Sequence, residues 1–174
     1  CGVGGILYKK IGSTGKAPIG ENLVKMLESM THRGKDSSGF TIVGEEIDGD
    51  LVIRVWTTTA DQAAHVLSRA QETVQKSGGV VVTHGIWGQF LRLTANYEGD
   101  IPALAEALLN TEGVALHSIG ETSEVIKDTG TPADMDSIHS MSQLKGTHGI
   151  GHVRMATESL VDVNHAHPFW AYPF

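Results

Sequence analysis

The chain has 174 residues, of which 40% are hydrophobic and 19% are charged. This length and composition predict one folded domain with a sizeable core and exclude a disordered chain. The formal net charge is −7 and there is no basic run, which argues against nucleic acid or an anionic membrane surface as the main partner. No apolar run approaches the roughly 20 residues of a membrane-spanning helix. The single cysteine excludes an internal disulfide framework and favours a reducing compartment, so we expect a cytoplasmic protein.

The first predicted element is a short buried strand over residues 2–8, directly after Cys1, the only cysteine. An α-amino group has a reference pKa of about 7.7–8.0, so at the first residue it can accept a thiol proton near neutral pH. The resulting thiolate is the attacking form. Three interpretations compete: an N-terminal nucleophile hydrolase, a lipoprotein acylated on Cys1, and an arbitrary cut. A strand that begins at once is unlike the flexible polar tether of a lipoprotein and disfavours the second interpretation.

Hydrophobic periodicity and turn residues predict the remaining elements. In chain order these are a helix over residues 21–30, strands over 40–43 and 51–56, a helix over 61–76, a strand over 80–83, a helix over 102–109, a strand over 114–119, a helix over 132–144 and a strand over 147–156. The strands 40–43 and 51–56, joined by a polar turn over 45–50, predict a β-hairpin. Because strands and helices mix without regular β-α-β alternation, an α+β layered domain is favoured over a doubly wound sheet.

Three segments contain residues suited to catalysis. The first is Cys1 with the glycines that follow it, and the second is a glycine-bounded loop that carries Arg33. In the third, Arg154 comes near a strand end and is followed by Thr157, then by His167 in a His-Pro-Phe sequence. The planar fork of arginine suits bidentate binding of a carboxylate. These residues favour a thiol enzyme that acts on a carboxylate-bearing substrate, although Arg154 could instead form an ion pair and Arg33 could merely brace its loop.

The nine histidines do not predict a metal site. On a strand over residues 147–156, His148 and His152 share a face with Arg154, whose charge would repel a cation. No carboxylate stands at a convincing ligand spacing. We therefore expect neither a metal ion nor another cofactor.

Taken together, four motifs resemble the class II glutamine amidotransferases, which are N-terminal nucleophile hydrolases with an αββα sandwich. The chain has Cys-Gly-x-x-Gly at residues 1–5, Arg-Gly-x-Asp-Ser-x-Gly at 33–39, Gly-His-x-Arg-x-Ala-Thr at 151–157 and His-Pro-Phe at 167–169. The order agrees with the family and the resemblance covers residues 1–174, as one amidotransferase domain. Residues 120–128, 145–148, 154–159 and 167–169 look closest to the stand-alone amidotransferase subunit of glutamate synthase-like complexes, including N-methylglutamate synthase.

This resemblance implies a specific function for each candidate residue. Cys1 would attack the side-chain amide of L-glutamine, form a γ-glutamyl thioester and release ammonia to a partner synthase subunit. Arg154 would hold the α-carboxylate with help from Thr157. His167 would line the substrate site mainly through its main chain, and Arg33 would lie near the nucleophile. Two alternatives stay open: a catalytically silent regulatory or structural subunit, or a fragment, that keeps the fold, and a hydrolase of a non-glutamine amide, which the motif around Arg154 disfavours.

One family element cannot be found in the chain. The resemblance implies an Asn-Gly pair that supplies the oxyanion hole after the His-Pro-Phe motif, but no asparagine here precedes a glycine; the four are Asn22, Asn96, Asn110 and Asn164. We expect the oxyanion-hole residues beyond Phe174, with the fold truncated on its C-terminal side, so that the chain is a fragment or another chain completes it.

Overall fold

The computed structural model describes residues 1–9, 16–44 and 47–171. In chain order the helices and strands are β1 (Gly2–Leu7), α1 (Ile19–Glu28), β2 (Ser37–Val43), β3 (Leu51–Trp56), α2 (Ala63–Lys76), β4 (Val80–Trp87), β5 (Phe90–Asn96), α3 (Ile101–Leu109), β6 (Ala115–Gly120), β7 (Ser123–Thr129), α4 (Pro132–His139) and β8 (His148–Arg154). Short 3-10 helices lie at Thr31–Arg33, Ala60–Gln62 and Met141–Gln143. Across these described ranges, no helix has both the length and the apolar character needed to cross a membrane.

The first sheet has the strand order β1-β8-β2-β7, and β8 pairs antiparallel with both β1 and β2. Helix α1 packs on one of its faces. A side chain at Gly149 or Gly151 of β8 would meet Leu23 or Leu27 of α1, so the glycines let the helix approach the strand closely. The buried core here consists of Ile19, Leu23, Val24, Leu27, Phe40, Ile42, Ile126, Met135, Met141 and Val153.

The second sheet has the strand order β4-β5-β3-β6, and its paired strands are antiparallel. Alternate residues of the central strands, such as Ile53 and Leu93, are fully buried in a core that includes α2 and α3. The described chain divides into two compact units, Cys1–Glu45 with Val125–Phe169 and Glu46–Glu124 with Trp170–Phe174.

The predicted α+β class is confirmed by two antiparallel sheets and four α-helices within the described residues. The predicted hairpin is wrong. β2 pairs with β8 in the first sheet, whereas β3 lies between β5 and β6 in the second. The segment between them, residues 44–50, is longer than a usual hairpin loop, and apolar strand patterns do not specify a partner. Residues 45–46 of the predicted turn lie outside the described residues. The αββα sandwich and the single-domain assignment stay predictions.

Candidate active site

Cys1 lies where β1 begins, beside the end of β8, because the two strands pair antiparallel. Its amino nitrogen donates a hydrogen bond of 2.5 Å to the carbonyl oxygen of Arg33. Its Sγ lies 3.8 Å from the carbonyl oxygen of Met155, the residue after Arg154. The side chain is exposed. A thiol and an amino group are therefore held together at an accessible position.

The loop that carries Arg33 is tied to the end of β8. Gly34 lies so close to Arg154 that a Cβ at this position would come within 2.4 Å of the Arg154 carbonyl carbon. The backbone N–H of Asp36 donates to the Arg154 carbonyl at 3.0 Å, and the Asp36 carboxylate accepts from the N–H of Ala156 at 2.7 Å. Asp36 thus anchors the chain on both sides of Met155, against which the Cys1 thiol lies.

Arg154 is a buried residue, 5% exposed. Its Nη1 donates to the carbonyl oxygen of Leu160 at 3.1 Å, and its Nη2 donates to the hydroxyl of Ser159. A guanidinium has five N–H donors, so these two contacts leave donors for a ligand. Ser37 stands opposite Arg154 in the pairing of β2 with β8. Its hydroxyl is buried and has no hydrogen-bond partner among the residues described.

His167 lies in a turn, residues 166–169, that packs on β2 and β7. A Cβ at Gly39 would come within 2.1 Å of the His167 carbonyl oxygen and 2.8 Å of the Lys127 Cβ. Lys127 donates through Nζ to the Ala166 carbonyl at 3.0 Å. The imidazole of His167 lies 4.6 Å from that of His152, measured between ring centroids. The His167 ring therefore contacts His152 of β8, and the His167 main chain lies against Gly39 of β2.

Burial favours the neutral form of both imidazoles. Burial lowers the pKa of His152 to about 4, with smaller effects from His167, the Cys1 amino group and Arg154. Burial also lowers the pKa of His167, and the charges of Arg154 and Lys127 act in the same direction. The charged groups that act on the two imidazoles, which are the Cys1 amino group, Arg154 and Lys127, are thus all cationic. Positive charge in this part of the site suits an anionic ligand.

Contacts and electrostatic interactions involve four of the five predicted site residues, which are Cys1, Arg33, Arg154 and His167. The main chain of Arg33 contacts Cys1, and the charge of Arg154 acts on the His167 imidazole. Arg33 is exposed, and the contact that it makes with Cys1 is through its carbonyl oxygen. Thr157 is also exposed, and in the described part of the chain no hydrogen bond links it to the other four. The roles of all five stay predictions.

The sequence assigned no role to three residues that lie near the candidate site, which are Asp36, Lys127 and His152. Asp36 lies inside the second motif, which offered a signal for it, and Lys127 lies inside residues 120–128, which contribute only to the closer resemblance. His152 lies inside the third motif, but the sequence assigned it no role in the site. Within the described ranges, no group of three or more His, Cys, Asp and Glu side chains is arranged to hold a metal ion.

We expect Gly39→Ala to displace the turn that carries His167. The new methyl group would collide with backbone, which cannot rotate away, so the free energy of unfolding should fall by about 1–3 kcal/mol. Denaturant unfolding measures this loss. Gly5→Ala is the matched control, because its Cβ would meet only an Ile150 methyl group at 3.3 Å and the Gly149 carbonyl oxygen at 3.4 Å. Equal losses in both variants would contradict the tight packing at Gly39.

Comparison with known proteins agrees with the motifs. No family model matches the chain. In an alignment 180 residues long that covers 99% of the chain, the chain is 30% identical to a protein of Methanothermobacter thermautotrophicus named "Putative glutamine amidotransferase". It is 32% identical, over 171 residues that cover 97% of it, to the "Glutamine amidotransferase-like protein GlxB" of Rhizobium meliloti. The matches span 57% and 54% of these relatives, so the chain corresponds to somewhat more than half of each. Over nearly its whole length, the chain is therefore similar to proteins named as glutamine amidotransferases.

Proposed function

We propose that the protein hydrolyses the side-chain amide of L-glutamine at Cys1, as a class II amidotransferase, and supplies the ammonia to a partner synthase subunit. The observation that carries this proposal is the arrangement at the start of β1. There the Cys1 amino group is bonded to Arg33, and the thiol faces the main chain next to Arg154. The two named relatives support glutamine as the substrate.

The proposed chemistry begins with proton transfer from the Cys1 thiol to its own amino group. The thiolate attacks the amide carbon, the C–N bond breaks, and the amino group returns the proton to the leaving nitrogen, which departs as ammonia. Water then hydrolyses the γ-glutamyl thioester to glutamate and the free thiol. This route requires Cys1 to be the first residue of the mature protein, and N-terminal sequencing of the purified protein tests that requirement.

In this proposal the positively charged guanidinium of Arg154 binds the glutamine α-carboxylate. Two hydrogen bonds to the segment after β8 hold the guanidinium in place, and its other donors are available for the ligand. Thr157 completes the subsite, and the main chain of His167 lines it. Arg33 acts through its carbonyl oxygen, which fixes the orientation of the Cys1 amino group.

The experiment that tests the proposal is covalent labelling with a diazo-ketone analogue of glutamine. We expect one adduct per chain, located on Cys1 by peptide mapping, and the release of glutamate and ammonia in equal amounts from glutamine. The analogue should label much more slowly when glutamine is present in excess, because both compete for one site. A protein that neither forms the adduct nor releases ammonia would be the catalytically silent subunit instead.

Arg154→Lys is expected to raise the KM for glutamine about 10–100-fold with a smaller change in kcat. The lysine point charge cannot form the paired hydrogen bonds of the guanidinium, and hydrogen bonds to charged groups contribute about 1.5–3 kcal/mol. Steady-state kinetics with glutamine measures both parameters. Ser159→Ala is the matched control: it removes one contact that supports Arg154 but leaves the guanidinium. A large loss of kcat at unchanged KM would reassign Arg154 to transition-state stabilisation.

A further inference from the structure

Lys127 is a buried lysine that the proposed chemistry does not use. It lies in β7 and is 5% exposed. Its Nζ donates to the Ala166 carbonyl oxygen at 3.0 Å and lies 4.6 Å from the centre of the Phe169 ring. No ion pair joins Lys127 to any residue in the described ranges. A carbonyl oxygen and the face of an aromatic ring are thus the groups that the ammonium contacts directly.

Such a position is costly for an ammonium group, because burial without a carboxylate disfavours the charged form. Burial lowers the pKa of Lys127 to about 8, and the charge of Asp162 acts in the opposite direction. A methionine or leucine would fill the same space without this cost. The charged residue therefore calls for an explanation in terms of what its ammonium contacts.

The two contacts of the ammonium bracket one residue, His167. Ala166 precedes His167 and Phe169 follows it by two positions, so Lys127 holds the turn of residues 166–169 from both sides. Within the turn, the His167 ring lies 4.6 Å from the Phe169 ring on one side and 4.6 Å from the His152 ring on the other. The ammonium therefore contacts the turn at a position before His167 and at a position after it in the sequence.

The contacts end at His152, whose imidazole interacts electrostatically with the amino group of the nucleophilic residue. His152 lies on β8 two residues before Arg154, and the charge of the Cys1 amino group acts on its imidazole. The chain of contacts thus runs from Lys127 through Ala166 and Phe169 to His167, then to His152, next to the site of Cys1 and Arg154. A shift of the turn would alter the surface that faces the substrate.

We propose that Lys127 is a positioning residue of the glutamine site, whose ammonium group fixes the turn of residues 166–169 and with it the His167 main chain. This inference rests on the proposed function for its substrate. Its structural part, that the ammonium orders the turn and the His167–His152 pair, holds independently of the substrate. It assigns no contact between Lys127 and the reacting atoms, so its effect should fall on glutamine binding.

The test compares Lys127→Met, which keeps an unbranched side chain one atom shorter but removes the charge and the N–H donors, with Lys127→Arg, which keeps both the charge and the donors. Lys25→Met is the control, because Lys25 is an exposed lysine of α1 with its side chain 66% exposed. Two readouts are used: the imidazole C–H signals of His152 and His167 in nuclear magnetic resonance spectra, and the kinetics with glutamine. Denaturant unfolding establishes that each variant is folded.

We expect Lys127→Met to shift both imidazole signals and to raise the KM for glutamine about tenfold, with a smaller effect on kcat, since one hydrogen bond to a charged group is lost. Lys127→Arg should have a KM close to that of the wild type. Lys25→Met should change neither the imidazole signals nor the KM. If the methionine variant fails to fold, Lys127→Gln replaces it, because glutamine keeps N–H donors without charge. Signals and KM equal to those of the wild type in a folded, uncharged variant would overturn the role of the ammonium. A wild-type protein without glutaminase activity would overturn the proposed function, and the imidazole signals would then decide the structural part alone.

Discussion

Cys1→Ser is expected to reduce the rate of glutamine hydrolysis by a factor on the order of 10³ or more, as removal of a catalytic nucleophile does in other hydrolases. A serine hydroxyl ionises far less readily than a thiol and is a much weaker nucleophile without a strong base beside it. Glutamate release from glutamine, followed under saturating substrate, measures the loss. The variant should also fail to react with the diazo-ketone analogue.

The fold should survive this substitution. Cys1 is exposed, and its Sγ makes one weak contact, at 3.8 Å to the Met155 carbonyl oxygen. The free energy of unfolding of Cys1→Ser should therefore stay within about 0.5 kcal/mol of the wild type, the range usual for surface substitutions. A folded serine variant that retains most of the glutaminase rate would show that Cys1 is not the nucleophile.

Glu124→Gln is expected to lower the free energy of unfolding by about 3–5 kcal/mol, the cost of removing one partner of a buried charge pair. Within the second unit, the Glu124 carboxylate accepts from Arg54 Nε at 2.6 Å and from Arg92 Nη2 at 2.7 Å. The Glu124 side chain is 7% exposed. Its neutral replacement would leave the two guanidinium groups without a shared counter-charge. Denaturant unfolding of the two proteins measures the difference.

Glu72→Gln is the matched control, because Glu72 pairs with Lys76 at 3.5 Å on the exposed surface of α2. Exposed pairs contribute at most about 1 kcal/mol, so this variant should lose little stability. Similar losses for Glu72→Gln and Glu124→Gln would contradict a special role for the buried cluster.

The same cluster predicts a pH dependence of stability. Burial by itself would raise the pKa of Glu124, but the charges and hydrogen bonds of Arg54 and Arg92 outweigh it and leave that pKa below its usual value. A carboxylate with a lowered pKa contributes stability above its unfolded-state pKa and loses this contribution as the pH falls through the folded-state value. The wild type should therefore lose more stability than Glu124→Gln on acidification below about pH 4.5. Unfolding free energies measured from pH 7 down to pH 3 test this.

Local patterns predicted the elements whose burial follows a regular period. The predicted strand at residues 51–56 has the bounds of β3, and the predicted helix at residues 21–30 overlaps α1, in which Leu23 and Leu27 are fully buried. Strand β5 was not predicted, although Leu91, Leu93 and Ala95 alternate inward and Gly88, with φ of +60°, stands in the turn before it.

Strand β7 could not be predicted in the same way. It contains Glu124, Lys127 and Asp128, and a segment with three charges is typical of an exposed loop, yet all three are buried. Their partners come from distant parts of the chain: arginines on β3 and β5 for Glu124, the Ala166 carbonyl for Lys127, and His139 of α4 for Asp128. A charge can be buried only where such partners are assembled, and no local pattern contains this information.

The candidate site likewise combines features that the sequence predicts with features that depend on distant parts of the chain. The sequence by itself determined which residues have suitable chemistry, because the thiol of Cys1, the fork of Arg154 and the His-Pro-Phe motif are properties of residue types and their order. Only the tertiary structure decided that the Arg33 carbonyl rather than its guanidinium contacts Cys1, and that Lys127 bears on the turn of His167. The physical reason is that strand pairing, and the packing of a turn against β2 and β7, bring together groups that are as much as 154 residues apart in the sequence. Hydrogen bonds and electrostatic interactions depend on the distance between groups in space and not on their separation in the sequence.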